Sequence, residues 1–147
     1  MNILVSACLL GLHTRYDGGA SATNLSALAG HTLIPVCPEQ LGGLPTPRAP
    51  AERQPDGRVV DAHGRDITQA FQQGAKMAWQ VSTWCNCQCA LLKARSPSCG
   101  VGAIYDGAFT GTVAPGDGVL AELLKAQGVP VFTEDELDAL TSYLKQP

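Results

Sequence analysis

The sequence predicts a three-layer, Rossmann-like α/β domain with a mainly parallel sheet and a small β-hairpin insertion. Three observations predict it: short apolar runs alternate with helical patterns, each run ends in a loop rich in Gly or Pro, and no segment repeats. At 147 residues the chain fits a single domain spanning 1–147. With 45% hydrophobic and 16% charged residues, its composition belongs to a packed globule and excludes disorder.

Ile3-Leu4-Val5-Ser6 reads as a buried central strand, with Cys8 just beyond it. Leu25 to Ala29 is a short helical candidate closed by Gly30, and Thr32 to Val36 is a second buried strand ended by Cys37-Pro38. Leu41 to Pro50, with Gly42, Gly43, Pro45, Pro47 and Pro50, reads as a loop long enough to cover a site. The turn Pro55-Asp56-Gly57 before Val59-Val60 predicts a hairpin. Asp66 and Gln69 form a capping-box pattern ahead of a helix whose apolar positions run from Ile67 through Phe71, Ala78 and Val81.

Cys89 to Lys93 is a third strand, and Ser96-Pro97-Ser98-Cys99-Gly100 after it excludes regular structure. Asp106-Gly107 predicts a hairpin joining Ile104-Tyr105 to Phe109-Thr110. Asp117 opens a helix that Gly128 closes, and Val129 to Phe132 is the last strand. Thr133 and Glu136 form a second capping box before a terminal helix carrying Leu137, Leu140 and Leu144.

Charge and targeting signals narrow the functional classes. A net charge of −3 provides no basic field for a nucleic-acid backbone, so no nucleic-acid partner is expected. No apolar run reaches the ~18 residues of a membrane span. The run before Cys8 is too short, and lacks the preceding Lys or Arg, for a cleavable signal. The expectation is a cytoplasmic protein with reduced thiols, in which cysteines bind metal or catalyse more often than they cross-link.

The six cysteines fall into two sets. Cys8, Cys37 and Cys99 lie in loops after predicted strands, and a parallel sheet binds ligands at the carboxyl ends of its strands, so the three should converge on one edge. Three thiolates suit either an iron–sulfur cluster with one open iron or a zinc site with an exchangeable position. Zinc normally draws on local C-x₂₋₄-C pairs, which these positions lack. Cys85, Cys87 and Cys89, if extended, would lie about 7 Å apart along a strand. That is too far to clamp one ion, and they read as small buried hydrophobes. His13, His31 and His63 belong to no ligand spacing, and Trp79 and Trp84 read as core or interface anchors.

The sequence around the first trio resembles the thiouracil desulfidase family over nearly the whole chain. The resemblance is carried by Val5-Ser6-Ala7-Cys8-Leu9-Leu10-Gly11 with Arg15-Tyr16-Asp17-Gly18, and by Pro35-Val36-Cys37-Pro38-Glu39 with Gly42-Gly43-Leu44 and Pro47-Arg48. A third block joins Leu92-Lys93 to Ser96-Pro97-Ser98-Cys99-Gly100 and Ile104-Tyr105-Asp106-Gly107. Cys85, Cys87 and Cys89 lie outside this pattern.

The resemblance implies an oxygen-sensitive [4Fe-4S] cluster held by Cys8, Cys37 and Cys99, whose fourth iron binds the sulfur of a thiolated pyrimidine as a Lewis acid. The implied reaction is a non-redox exchange of C=S for C=O with release of hydrosulfide. On that scheme Glu39, two residues from Cys37, is the general base and proton donor, and Ser96 or Ser98 positions the water or relays the proton. Arg48, Lys93 and Arg15 are candidates to offset thiolate charge or hold a substrate carbonyl, and Asp17 and Tyr16 to meet the ring. The competing expectation is an iron–sulfur redox or oxygen sensor without turnover, using the second cysteine trio as redox thiols.

Overall fold

The computed structural model describes residues 1–146. Strand β1, Asn2–Ser6, forms the centre of a four-stranded parallel sheet. It leads into a 3₁₀ turn, Ala7–Leu10, that carries Cys8. The helix expected over Leu25 to Ala29 is one 3₁₀ turn, Ser26–Leu28. Asn24 Oδ1 accepts a bond from the Ser26 amide, and so short a segment cannot offset the cost of nucleating an α-helix. Strand β2, Thr32–Val36, follows and pairs with β1.

Helix α1, Pro38–Leu41, fills the chain between β2 and the loop expected from Leu41. Pro38 at its first position loses nothing by lacking an N–H, which makes the single turn compatible with the sequence. Strands β3, Ala51–Arg53, and β4, Val59–Asp61, form the expected hairpin. Helix α2, Thr68–Trp84, begins without the predicted capping box. Instead Asp66 Oδ1 accepts bonds from the Thr68 amide at 3.0 Å and hydroxyl at 2.6 Å. Thr68 Oγ1 in turn accepts from the Val59 amide at 2.9 Å, so the helix start is tied to the hairpin.

Strand β5, Cys89–Leu92, pairs with the other side of β1. Strands β6, Ala103–Tyr105, and β7, Val113–Pro115, pair with Tyr105 opposite Val113. The tight hairpin expected at Asp106-Gly107 is therefore a longer loop over 106–112, and Phe109-Thr110 lies in it, not in a strand. Helix α3, Val119–Ala126, strand β8, Val131–Thr133, and helix α4, Leu137–Leu144, complete the chain. The capping box at Thr133 and Glu136 is formed.

The sheet order is β2-β1-β5-β8, all parallel. Period-two alternation sends β1 and β5 side chains to both faces. Leu4, Ala90 and Leu92 pack with Ala75 and Ala78 of α2 and Leu120 and Leu124 of α3. Ile3, Val5, Cys89 and Leu91 pack on the opposite face with Leu9, Leu28 and Leu140 of α4. The result is the predicted three-layer architecture with hairpin additions. Burial on both faces explains why β1 and β5 read as unbroken apolar runs. The chain steps from β1 to β2 on one side, then crosses to β5 on the other, which creates a crevice outside the carboxyl ends of the two central strands.

Candidate functional site

A cavity of about 570 Å³ opens at that crevice. The first turns after β1 and β2 and the chain after β5 form its floor, and Cys8, Cys37 and Cys99 all line it. Cys8 sits in the 3₁₀ turn and is 8% exposed. Cys37 caps α1. Cys99, 3% exposed, ends the Ser96-Pro97-Ser98 turn, where its amide and that of Ser98 each donate to Ser96 Oγ at 3.1 Å. Separations of 29 and 62 residues in sequence thus close on one rim, the convergence expected from three post-strand loops.

The electrostatics of the trio show what it lacks. Burial pushes the Cys37 thiol up to about 11, with the neighbouring Glu39 carboxylate adding to the rise. Burial and Glu39 raise Cys99 further still, against a hydrogen bond from Ser6. Burial also raises Cys8, opposed by the charge of Lys93. Three desolvated thiols beside a carboxylate ionise only against added positive charge, which a bound metal group supplies. Yet among the described residues no three His, Cys, Asp or Glu side chains are close enough to grip a single metal ion. Three sulfur donors brought to one cavity from separate loops fit an iron–sulfur group.

Glu39, in the first turn of α1, is 9% exposed and lines the cavity. Its Oε2 accepts a bond from Cys37 Sγ at 3.4 Å and lies 3.6 Å from Arg48 Nη2. Arg48 is locked by donating to the Thr14 carbonyl at 3.0 Å and to Thr46 Oγ1 at 3.0 Å, so the predicted loop over the site does cover it. Lys93 also lines the cavity. Its Nζ meets Glu134 Oε2 at 2.8 Å, while Glu134 Oε1 accepts the Ala94 amide at 2.7 Å. Glu134 thereby fixes both the charge and the backbone at the end of β5.

The two serines separate. Ser96 lines the cavity, and because its Oγ accepts two amides, its O–H is left free to donate. Ser98 is fully buried, stands outside the lining, and its Oγ has no partner among the described residues. Asp17 is placed outside the lining: its Oδ1 accepts the Gly19 amide at 2.8 Å and lies 3.6 Å from Arg15 Nε. That is the local turn chemistry of an Asp-Gly sequence, and it engages the carboxylate within its own loop. Arg15 and Tyr16 do line it.

Cys85, Cys87 and Cys89 are not one extended strand. Cys85 ends α2, Asn86 adopts φ 53°, and Cys89 starts β5 at the end remote from the cavity. Cys89 is fully buried and Cys87 packs on the α2 face, which is the hydrophobic role expected for them. None of the three histidines lines the cavity, Trp79 packs against the core and Trp84 is 74% exposed. The lining also contains Ser6, Glu52, Tyr105 and Phe109, which sequence reasoning did not single out. Glu52 and Phe109 come from the two hairpins, and no local pattern marks residues whose role depends on hairpins meeting across the cavity mouth.

A family profile described as 2-thiouracil desulfurase matches residues 3–136. The uncharacterized protein YbbK of Bacillus subtilis (strain 168) is 39% identical over 147 residues, covering 92% of this chain and 97% of that protein. A solved structure described as the [4Fe-4S]-dependent thiouracil desulfidase TudS superposes with a TM-score of 0.91 at 46% identity, covering 97% of each chain. The match runs through the strands, turns and loop that build the cavity, and with it the chain belongs to the 2-thiouracil desulfurase family.

Proposed function

We propose that this protein is an iron–sulfur desulfidase that converts a thiolated pyrimidine such as 2- or 4-thiouracil to its oxo form and hydrosulfide. The observation that carries the reading is the meeting of three cysteine thiols from separate post-strand loops at one cavity, beside the Glu39 carboxylate. Cys8, Cys37 and Cys99 would hold a [4Fe-4S] cluster with one iron uncoordinated by protein. When bound, the cluster supplies a Lewis acid that polarises the thiocarbonyl of the substrate.

The chain's own residues do the proton work. Glu39 takes a proton from a water as the water oxygen attacks the thiocarbonyl carbon, and returns it as the C–S bond breaks, so that C=O replaces C=S with no change of oxidation state. Arg48 holds the Glu39 carboxylate against the cavity wall. Ser96, which lines the cavity with its hydroxyl still able to donate, orients the water, a task that buried Ser98 outside the lining does not share. Lys93, steered by Glu134, places positive charge near Cys8 and offsets thiolate charge. The redox-sensor reading loses support at the second trio, where burial pushes Cys87 and Cys89 up to about 11 and suppresses the thiolate that oxidation requires.

Protein purified without oxygen is expected to be brown, absorb broadly in the visible and release sulfide from thiouracil with no reductant added. Single Ser replacements of Cys8, Cys37 or Cys99 are expected to lose bound iron, and a joint replacement of Cys85, Cys87 and Cys89 to keep it. Colourless protein with stoichiometric zinc overturns the reading.

A further inference from the structure

The cavity contains a second carboxylate that the proposed chemistry does not use. Glu52, on β3, is 9% exposed and lines the cavity. Alternation along β3 sends its neighbour Arg53 the other way, where Arg53 Nη1 donates to the Asp117 carbonyl at 2.8 Å. Glu52 Oε1 reaches the β6–β7 loop and accepts two amides, from Gly107 at 2.9 Å and from Phe109 at 3.1 Å. Gln54 Nε2 adds a bond to the Gly107 carbonyl at 3.0 Å.

This grip holds an unusual conformation in place. Phe109 sits at φ 59°, a left-handed position that a bulky side chain adopts only under external restraint. The restraint leaves the ring 39% exposed as part of the cavity lining. Tyr16, 42% exposed, contributes a second aromatic ring to the same lining. Backbone distortion that places an apolar ring at a cavity mouth gives a flat surface for a flat ligand.

The other oxygen of Glu52 is unmatched. Among the described residues Oε2 has neither a hydrogen-bond donor nor a cationic partner, and it is not sealed from solvent. Glu39, by contrast, is engaged by Arg48 and Cys37. A carboxylate oxygen left without a partner on a residue only 9% exposed gains from a donor that arrives with the ligand. Pyrimidine-2,4-diones and their thio analogues carry ring N–H donors in the plane of the ring.

We propose that Glu52 is a substrate-recognition residue, whose Oε1 holds Phe109 as a stacking wall and whose Oε2 accepts a ring N–H of the pyrimidine. The assignment rests on the desulfidase reading and deepens it. It divides the cavity into a reacting side at Glu39 and a recognition side at Glu52.

The test compares uracil, 1-methyluracil and 3-methyluracil by equilibrium binding to cluster-loaded protein, together with KM and kcat for thiouracil. One N-methyl derivative is expected to bind the unaltered protein ~10- to 100-fold more weakly than uracil, the range for a hydrogen bond to a charged group. Glu52→Gln can still accept both loop amides but presents an NH₂ to the ring. It is expected to raise KM by a similar factor, change kcat little, keep its visible absorption and no longer distinguish the methylated rings. Phe109→Ala is expected to raise KM several-fold while keeping that discrimination.

Equal binding of all three rings by the unaltered protein overturns the proposal and needs no variant to fold. Retained discrimination in Glu52→Gln overturns it too, and an unchanged KM in Phe109→Ala removes the stacking wall. If thiouracil is desulfurated in any of these cases, the desulfidase reading stands while the Glu52 assignment falls. If neither turnover nor binding occurs, both fall.

Discussion

Glu39 and the thiols show how single side chains acquire roles from their surroundings. Glu39→Gln removes the acceptor of the water's proton but leaves the thiols and Arg48 in place. It is expected to lower kcat by ~10²- to 10⁴-fold, the usual share of general-base catalysis, with bound iron unchanged by metal analysis. Cys87 is a half-buried thiol whose ordinary value near 9 is lifted to about 11 by desolvation. At pH 8 its thiolate fraction is therefore about 100-fold below that of an exposed cysteine. Alkylation by iodoacetamide, followed by mass spectrometry, should be slower by at least that factor and rise tenfold per pH unit up to about pH 11. At this scale the placement of Cys8, Cys37, Cys99 and Glu39 at one cavity was legible in the sequence, because each stands beside a strand end or another ligand candidate. Asp17 lies outside the lining, where its carboxylate serves its own Asp-Gly turn.

Between residue and domain, the crossing of α1 and α2 sets the site. α1 carries Glu39 and is capped by Cys37, and it packs on α2 through two glycines. A Cβ at Gly74 would fall inside the Pro38 carbonyl, and one at Gly42 inside the Ala70 carbonyl. Gly74→Ala must push α1 outward. It is expected to destabilise by ~1–3 kcal/mol in urea unfolding and to reduce iron content, because the displaced turn takes Cys37 with it. The capping box at Thr133 makes a contrasting case: Thr133→Ala is expected to lose ~1 kcal/mol, about 3 °C in Tm. Its effect on turnover should be small but measurable, since the following residue, Glu134, steers Lys93. The Thr133 box was legible because both partners are local. α1 was not, since one turn of helix carries no periodicity and owes its stability to the α2 contact.

For the molecule as a whole, burial of thiols on both sheet faces links stability to pH. Cys87 and Cys89 ionise near 9 in an unfolded chain and at about 11 in the folded one. The unfolded chain therefore sheds these protons first, so stability is full below about pH 9 and falls as pH rises from 9 toward 11. Urea midpoints measured at pH 8 and pH 10.5 should show the loss, and replacing Cys87 and Cys89 together with Ala should reduce that dependence, with Cys8, Cys37 and Cys99 carrying the remainder. The sequence by itself determined the four strands of the parallel sheet, the long helices between them, the buried character of β1 and the placing of three cysteines after strand ends, because apolar period and turn chemistry are local. Only the tertiary structure decided which loop residues share the cavity. Glu52 and Phe109 reach it from the hairpins, Glu134 holds the cavity-lining Lys93 from a late strand end, and Asp17 and Ser98 lie outside the lining. Those placements follow from where separate elements meet in space, which depends on packing across the whole sheet and leaves no mark on neighbouring residues.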